Sequence, residues 1–202
     1  MTKIKLCGLS RPEDIEAANR LKTDYVGFVF WPESRRAVTP ARAARLKAAL
    51  DPSIRAVGVF VNEDPETVAQ LLEAGVIDLA QLHGSEDAEY IRRLRDLTDG
   101  PLIQAFKIRS KEDLSRAAAS TADEILLDAG AGTGTVFDWS LLKNMERRYF
   151  LAGGLNPENV REAIRDLHPY GVDVSSGIET DARKDRTKMA AFVAAVREED
   201  RR

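Results

Sequence analysis

Apolar positions along the chain fall into short runs separated by longer segments of mixed polarity. Eight runs read as strands: Ile4–Cys7, Tyr25–Phe30, Ala56–Val61, Leu79–Leu82, Leu102–Phe106, Glu124–Leu127, Tyr149–Ala152 and Val172–Val174. Several are apolar nearly throughout, the pattern of parallel strands buried on both faces.

The segments between them carry helix-start signals and helical spacing. Ser10-Arg11-Pro12-Glu13 places a cap, a first-turn proline and an acid ahead of Ile15, Ala18 and Leu21. Thr39-Pro40, Asp64-Pro65-Glu66 and Asn156-Pro157-Glu158-Asn159 open three more helices in the same manner. Ser85-Glu86 and Ser110-Lys111-Glu112 open two others, Asp138 caps the sixth and Asp185 starts the last. Eight strand–helix pairs in 202 residues make about 25 residues per pair. Such alternation implies parallel pairing through right-handed crossovers. Eight units fit a compact (β/α)8 barrel spanning residues 1–202 as one domain, with a doubly wound open sheet as the alternative.

Composition narrows the class of function. Thirty basic and 33 acidic residues give a formal charge of −3, which argues against a broad nucleic-acid surface or a polybasic membrane dock. No apolar run approaches the roughly 20 residues of a membrane helix, and no signal-peptide core follows Met1, so the expected location is the cytoplasm. A single cysteine, Cys7, and two distant histidines, His83 and His168, speak against a disulfide or a metal centre.

In a closed barrel, the C-terminal ends of the strands line one mouth, where chemistry is done. Those ends are rich in reactive and anion-binding residue types. Gly153-Gly154 after strand seven and Ser175-Ser176-Gly177 after strand eight lie where such barrels hold a phosphate, although glycines also make plain tight turns. Cys7 ends strand one and is either a buried small hydrophobe or a base or nucleophile. Asp128, at the end of an apolar strand, serves a partner or substrate or else orders the following Gly130–Gly134 loop. Arg35 and Arg36 follow strand two, and the role of His83 stays open. Around the ring the phosphate loops fall between Asp128 and Cys7, with Arg36 just beyond. A phosphorylated sugar anchored there would reach between an acid and a base, which suits a proton-shuttling isomerase without a metal.

The chain resembles the phosphoribosylanthranilate isomerase family. The matching pieces, in family order, are Lys5-Leu6-Cys7-Gly8, Gly27-Phe28-Val29-Phe30 with Ser34 and Arg36, Val57-Gly58-Val59-Phe60-Val61-Asn62 and Gln81-Leu82-His83-Gly84. They continue through Leu127-Asp128, Gly132-Thr133-Gly134 with Phe137-Asp138-Trp139, Ala152-Gly153-Gly154-Leu155, Gly171 to Glu179 and Lys184-Asp185. The resemblance implies a cofactor-free Amadori rearrangement in tryptophan biosynthesis, acting on a small phosphorylated substrate in a monomer or homodimer. By position it implies Asp128 as general acid at the furanose oxygen, Cys7 as general base at C2′, and Arg36 on the anthranilate carboxylate. It likewise implies Gly153, Gly154, Ser175, Ser176 and Gly177 as the phosphate cradle, with Asp173 at a ribose hydroxyl.

That chemistry sets demands. Asp128 must carry a proton near neutrality although a free aspartate titrates near ~3.9, so an apolar or negatively biased site is expected. Cys7 must lose one although a free thiol titrates near ~8.5, so a positive field is expected, with Lys5 on the same strand face as its source. Two positions depart from the family pattern. Arg35 stands where a proline is common and is expected to loosen the second loop; Ala182 stands where a glycine is usual and is expected to alter the turn after strand eight. The competing readings are a related histidine-pathway aldose–ketose isomerase, a barrel binding flavin mononucleotide at the same loops, and a catalytically silent partner surface. Two-aspartate chemistry of the first kind is at odds with Cys7 at the end of strand one.

Overall fold

Eight parallel strands hydrogen-bond in chain order and close on themselves: β1 (Lys3–Cys7), β2 (Tyr25–Val29), β3 (Arg55–Phe60), β4 (Leu79–Leu82), β5 (Leu102–Lys107), β6 (Glu124–Asp128), β7 (Tyr149–Ala152) and β8 (Gly171–Val174). The last strand pairs with the first in the register Lys5↔Asp173. The sheet is therefore a barrel, and the open-sheet alternative is excluded. This is a computed structural model that describes residues 1–129 and 139–202. Each strand boundary lies within one residue of its sequence expectation.

Alternation along each strand sorts side chains between two cores. Outward residues such as Ile4, Leu6, Val26, Phe28, Ala56 and Phe60 pack under the helices in one continuous cluster. Inward residues Tyr25, Val57, Leu79, Ile103, Leu126, Phe150 and Ala152 fill the barrel itself. Above that fill, inward Gln81, Asp128 and Asp173 are polar, while Val29 and Val59 form a small apolar cluster with Cys7.

Among the described residues, seven α-helices cover the barrel: α1 (Pro12–Leu21), α2 (Pro40–Ala48), α3 (Pro65–Glu73), α4 (Ala88–Leu97), α5 (Lys111–Ala118), α6 (Val160–Leu167) and α7 (Arg186–Glu199). Thr39, Asp64, Ser110 and Asp185 cap their helices through the side chain, as the sequence implies. Three starts differ. At α1 the cap position falls on Arg11 rather than Ser10, and the Asp14 carboxylate accepts both N–H groups of Ser10 and Arg11. At α4 the cap is Asp87, because the Ser85 hydroxyl and the Glu86 carboxylate are spent on the loop around Asn62 and Gly84. Asn156 caps a turn over Glu158 and Asn159, so α6 begins later, at Val160.

The sixth crossover holds a 3-10 segment, Trp139–Asn144, where the sequence reading placed an α-helix. Trp139, Leu142 and Met145 recur every three residues and pack on the core, which suits a three-residue turn better than a 3.6-residue one. Gly130, Gly132-Thr133-Gly134, Phe137 and the expected cap Asp138 lie outside the described residues. After β8 comes an unforeseen two-stranded hairpin, Glu179–Thr180 against Arg183–Lys184.

Candidate active site

A cavity of about 510 Å³ opens at the C-terminal ends of the strands. Its lining includes Cys7, Arg36, Asp128, Gly153, Gly154, Asp173, Ser175 and Ser176, brought together from β1, β2, β6, β7 and β8. Gly177 stands apart from that lining. A Cβ there would lie 1.9 Å from the Leu155 carbonyl oxygen, so the glycine lets the loops after β7 and β8 interlock.

Cys7 is buried and unpaired with any other cysteine. Its room comes from the neighbouring strand: a Cβ on Gly27, its register partner, would sit 2.7 Å from the Cys7 sulfur. Two residues earlier on the same inward face, fully buried Lys5 places Nζ 2.9 Å from Asp173 Oδ1. Burial opposes the Lys5 charge, but Asp173 and Cys7 outweigh it and the ammonium titrates above its ordinary value. Burial likewise pushes the Cys7 thiol up. Lys5 and Lys184 pull it down while Asp173 adds to the upward push, and the thiol stays above its ordinary value. The positive field expected from Lys5 is present, but it does not overcome desolvation.

Arg36 lies across the next loop. Its stem crosses Gly8, where a Cβ would stand 2.4 Å from Arg36 Cδ and where φ is +77°, a conformation that favours glycine. The guanidinium forms two bonds to Glu179, Nε to Oε1 at 2.6 Å and Nη2 to Oε2 at 2.8 Å. Glu179 also accepts from Lys184 Nζ at 2.7 Å and from Arg35 Nη2 at 2.6 Å. Burial opposes its ionisation, yet the bonds from Arg36 and Lys184 prevail and hold the carboxyl down at about 2. Lys184 in turn donates to the Ser175 carbonyl, and burial pulls its own titration below the ordinary value. Arg35 thus ties its loop to the hairpin after β8 rather than loosening it. The other departure, Ala182, sits with Asp181 at φ +61° and +49° in the hairpin turn.

Across the cavity, Asp128 Oδ2 lies 3.6 Å from His83 Nε2. Buried Gln81, one inward position below, presents its amide nitrogen to His83 Nδ1 at 2.7 Å. Gln81 and Asp128 thus meet opposite nitrogens of the His83 ring, and the ring's tautomer sets which of them carries a proton. Lys107, the register partner of Asp128 on β5, lines the same cavity. Among the described residues, His83 and Lys107 are the polar groups beside Asp128, where the sequence led to the expectation of an apolar or negative site.

The sequence reading passed over Lys107, Glu179 and Lys184. Lys107 was legible, because it continues the inward parity of Ile103 and Ala105 by one step. Glu179 and Lys184 meet Arg36 only through tertiary folding, and no spacing signals it.

Residues 4–195 match the family model described as N-(5′-phosphoribosyl)anthranilate (PRA) isomerase. The chain belongs to that family. A PRA isomerase from Acetivibrio thermocellus is 44% identical, with 99% of this chain and 98% of the relative covered. The crystal structure of a phosphoribosyl anthranilate isomerase from Thermotoga maritima superposes with a TM-score of 0.90 at 37% identity, covering 98% of this chain and 100% of the other. A further PRA isomerase structure, in complex with reduced 1-(o-carboxyphenylamino)-1-deoxyribulose 5-phosphate, gives 0.88 at 37% identity and the same coverage. As a PRA isomerase family member, the chain is an isomerase of tryptophan biosynthesis. No helix among the described residues is long and apolar enough to cross a membrane.

Proposed function

We propose the following division of labour for the rearrangement of N-(5′-phosphoribosyl)anthranilate to 1-(2-carboxyphenylamino)-1-deoxyribulose 5-phosphate. Asp128 donates a proton to the furanose oxygen as the C1′–O4′ bond breaks, leaving a protonated imine at C1′. Cys7, as thiolate, removes the C2′ proton, and the C–H electron pair becomes the double bond of an enolamine. A proton then passes from the C2′ hydroxyl to C1′, giving the ketone. Asp128 ends ionised and Cys7 protonated, and exchange with solvent resets both. His83 Nε2 faces the carboxylate that Asp128 becomes, and Lys5 lies beneath the thiolate that Cys7 must be.

The substrate is anionic at both ends, and the cavity answers at both. The backbone of Gly153, Gly154, Ser175 and Ser176 receives the phosphate, Gly177 lets those loops interlock, and Arg36 receives the anthranilate carboxylate. Asp173, with one oxygen held by Lys5, turns its carboxylate to a ribose hydroxyl. All of these groups come from one chain, so a single protomer folded as one domain is a sufficient catalytic unit and needs no nucleic acid or membrane.

The observation that carries this reading is the placement of Cys7 and Asp128 on opposite sides of one cavity, with the β7 and β8 loops between them. Loss of substrate fluorescence tests it, with phosphoribosylanthranilate generated in situ. Wild type should quench the signal rapidly, and Cys7→Ala and Asp128→Asn should each slow it by about a thousandfold, within the range of general acid–base catalysis. Wild-type turnover in either variant would remove that residue from the mechanism.

A further inference from the structure

Glu179 is a carboxylate that the proton transfers do not use, yet it is one of the most heavily bonded groups in the molecule. Its side chain is 5% exposed, and both oxygens are engaged by cations. The contact with Arg36 is two-pronged and takes the Nε–Nη2 edge of the guanidinium. A guanidinium has five N–H donors in a rigid plane, so the end-on Nη1–Nη2 edge keeps a parallel pair of donors. We infer that Glu179 is a positioning residue that fixes this second edge toward the substrate carboxylate, an inference that rests on the role proposed above for Arg36.

Three observations bear on it. The Arg36 stem runs over Gly8, so the side chain has a track as well as an anchor. Lys184 clamps Glu179 from the other side and is itself tied to Ser175 in the phosphate loop, so one carboxylate links the two ends of the site. The charge count also fits. Arg36 and Lys184, both largely buried, and the more exposed Arg35 share a single carboxylate and leave surplus positive charge for an incoming anion. A guanidinium aligned before binding loses less freedom when the ligand arrives, so the effect should fall on binding.

The competing account is that Glu179 only staples the hairpin to the second loop. Steady-state kinetics with phosphoribosylanthranilate separate the two. Glu179→Gln should raise KM about tenfold with kcat within about threefold of wild type, because ground and transition states lose the same contact. Arg36→Met should raise KM at least as much, and adding Glu179→Gln to it should change KM less than about twofold, since the positioned group is already gone. A Glu179→Gln KM within about twofold of wild type, or full multiplication of the two effects in the double variant, would overturn the inference. Arg36→Met with a wild-type KM would overturn the role of Arg36 and this inference with it. If Glu179→Gln does not accumulate as folded protein, Glu179→Asp takes its place, keeping the charge but falling one methylene short of the fork. KM should then rise about threefold, and a wild-type KM would overturn the inference.

Discussion

The two ends of this barrel are built from the same strands and the same inward alternation, yet they solve opposite problems. At the N-terminal end, Tyr25, Leu79, Ile103 and Phe150 fill the interior, with Phe150 edge-on to Tyr25 and to Tyr170 at centroid distances of 5.5 and 5.3 Å. Arg148 covers the Tyr170 ring at 4.1 Å and pairs with Glu124. Further along the strands the interior holds Lys5, Gln81 and Asp173, and the mouth holds Cys7, His83 and Asp128 beside apolar Val29 and Val59. One end gains stability by excluding water from apolar surface. The other holds charges that cost desolvation energy and are kept by pairing. On β4 from Leu79 to Gln81, and on β6 from Leu126 to Asp128, the change takes two residues, roughly 7 Å. A barrel core can therefore carry a site on its own packed base.

The contrast is sharpest when one residue from each end is changed. Cys7→Ala or Asp128→Asn should lower kcat by about a thousandfold, about 4 kcal/mol in the barrier, while thermal unfolding hardly moves. Phe150→Ala should do the reverse. It removes a ring that is 1% exposed and should cost about 3–5 kcal/mol of stability, with kcat of the folded fraction unchanged. Paired calorimetry and kinetics on these variants would break the comparison if Phe150→Ala lost turnover, or if Cys7→Ala unfolded early.

Lys5 lies at the boundary and should show both effects. Lys5→Met leaves Asp173 buried without its cation, which should destabilise the fold by about 3 kcal/mol. It should also shift the pH profile. The thiolate is the working form of Cys7, so kcat/KM rises as pH climbs through the thiol's titration. That titration stands above the ordinary value because burial raises it and Lys5 only partly offsets the rise. Removing Lys5 therefore moves the rising limb to higher pH, and direct thiol titration should move with it. An unmoved limb in a folded Lys5→Met protein would show that Lys5 is structural alone.

The smallest effect belongs to the hairpin behind the phosphate loop. Ala182 holds φ +61° beside Asp181 at +49°, so both central residues of the turn are left-handed. Ala182→Gly should relieve that strain and stabilise the protein by about 0.5–1 kcal/mol, a rise of about 1–4 °C in the unfolding midpoint. Activity should stay at the wild-type level, because Ala182 is remote from the reacting groups. An unchanged midpoint would mean the turn carries no such strain.

Much of this molecule was legible before folding was considered. Strand positions follow from short β-branched runs, and most helix starts follow from a capping residue before a proline or an acid. The misreadings have local causes. Ser85 and Glu86 look like a helix cap but bond to Asn62, a residue from another crossover. The Trp139 segment has too short a repeat for an α-helix. In the site, Cys7, Asp128 and Arg36 could be named from strand ends and from the family resemblance, because end-of-strand position in a closed barrel already means the mouth.

Which groups would surround those residues was a different matter. By itself the sequence determined the eight-unit alternation, the shared strand face of Lys5 and Cys7, and the residue types available at the mouth. These depend on local propensity and on a period of two. Tertiary structure alone decided that the sheet closes, which sets Asp173 against Lys5 across the β8–β1 seam. It also decided that Glu179 grips Arg36 from 143 positions away, and that Gln81 meets the His83 ring at Nδ1. The reason is physical: a buried charge is tolerable only with a partner within hydrogen-bonding reach. Where that partner comes from is fixed by barrel closure and loop packing, which no local pattern encodes.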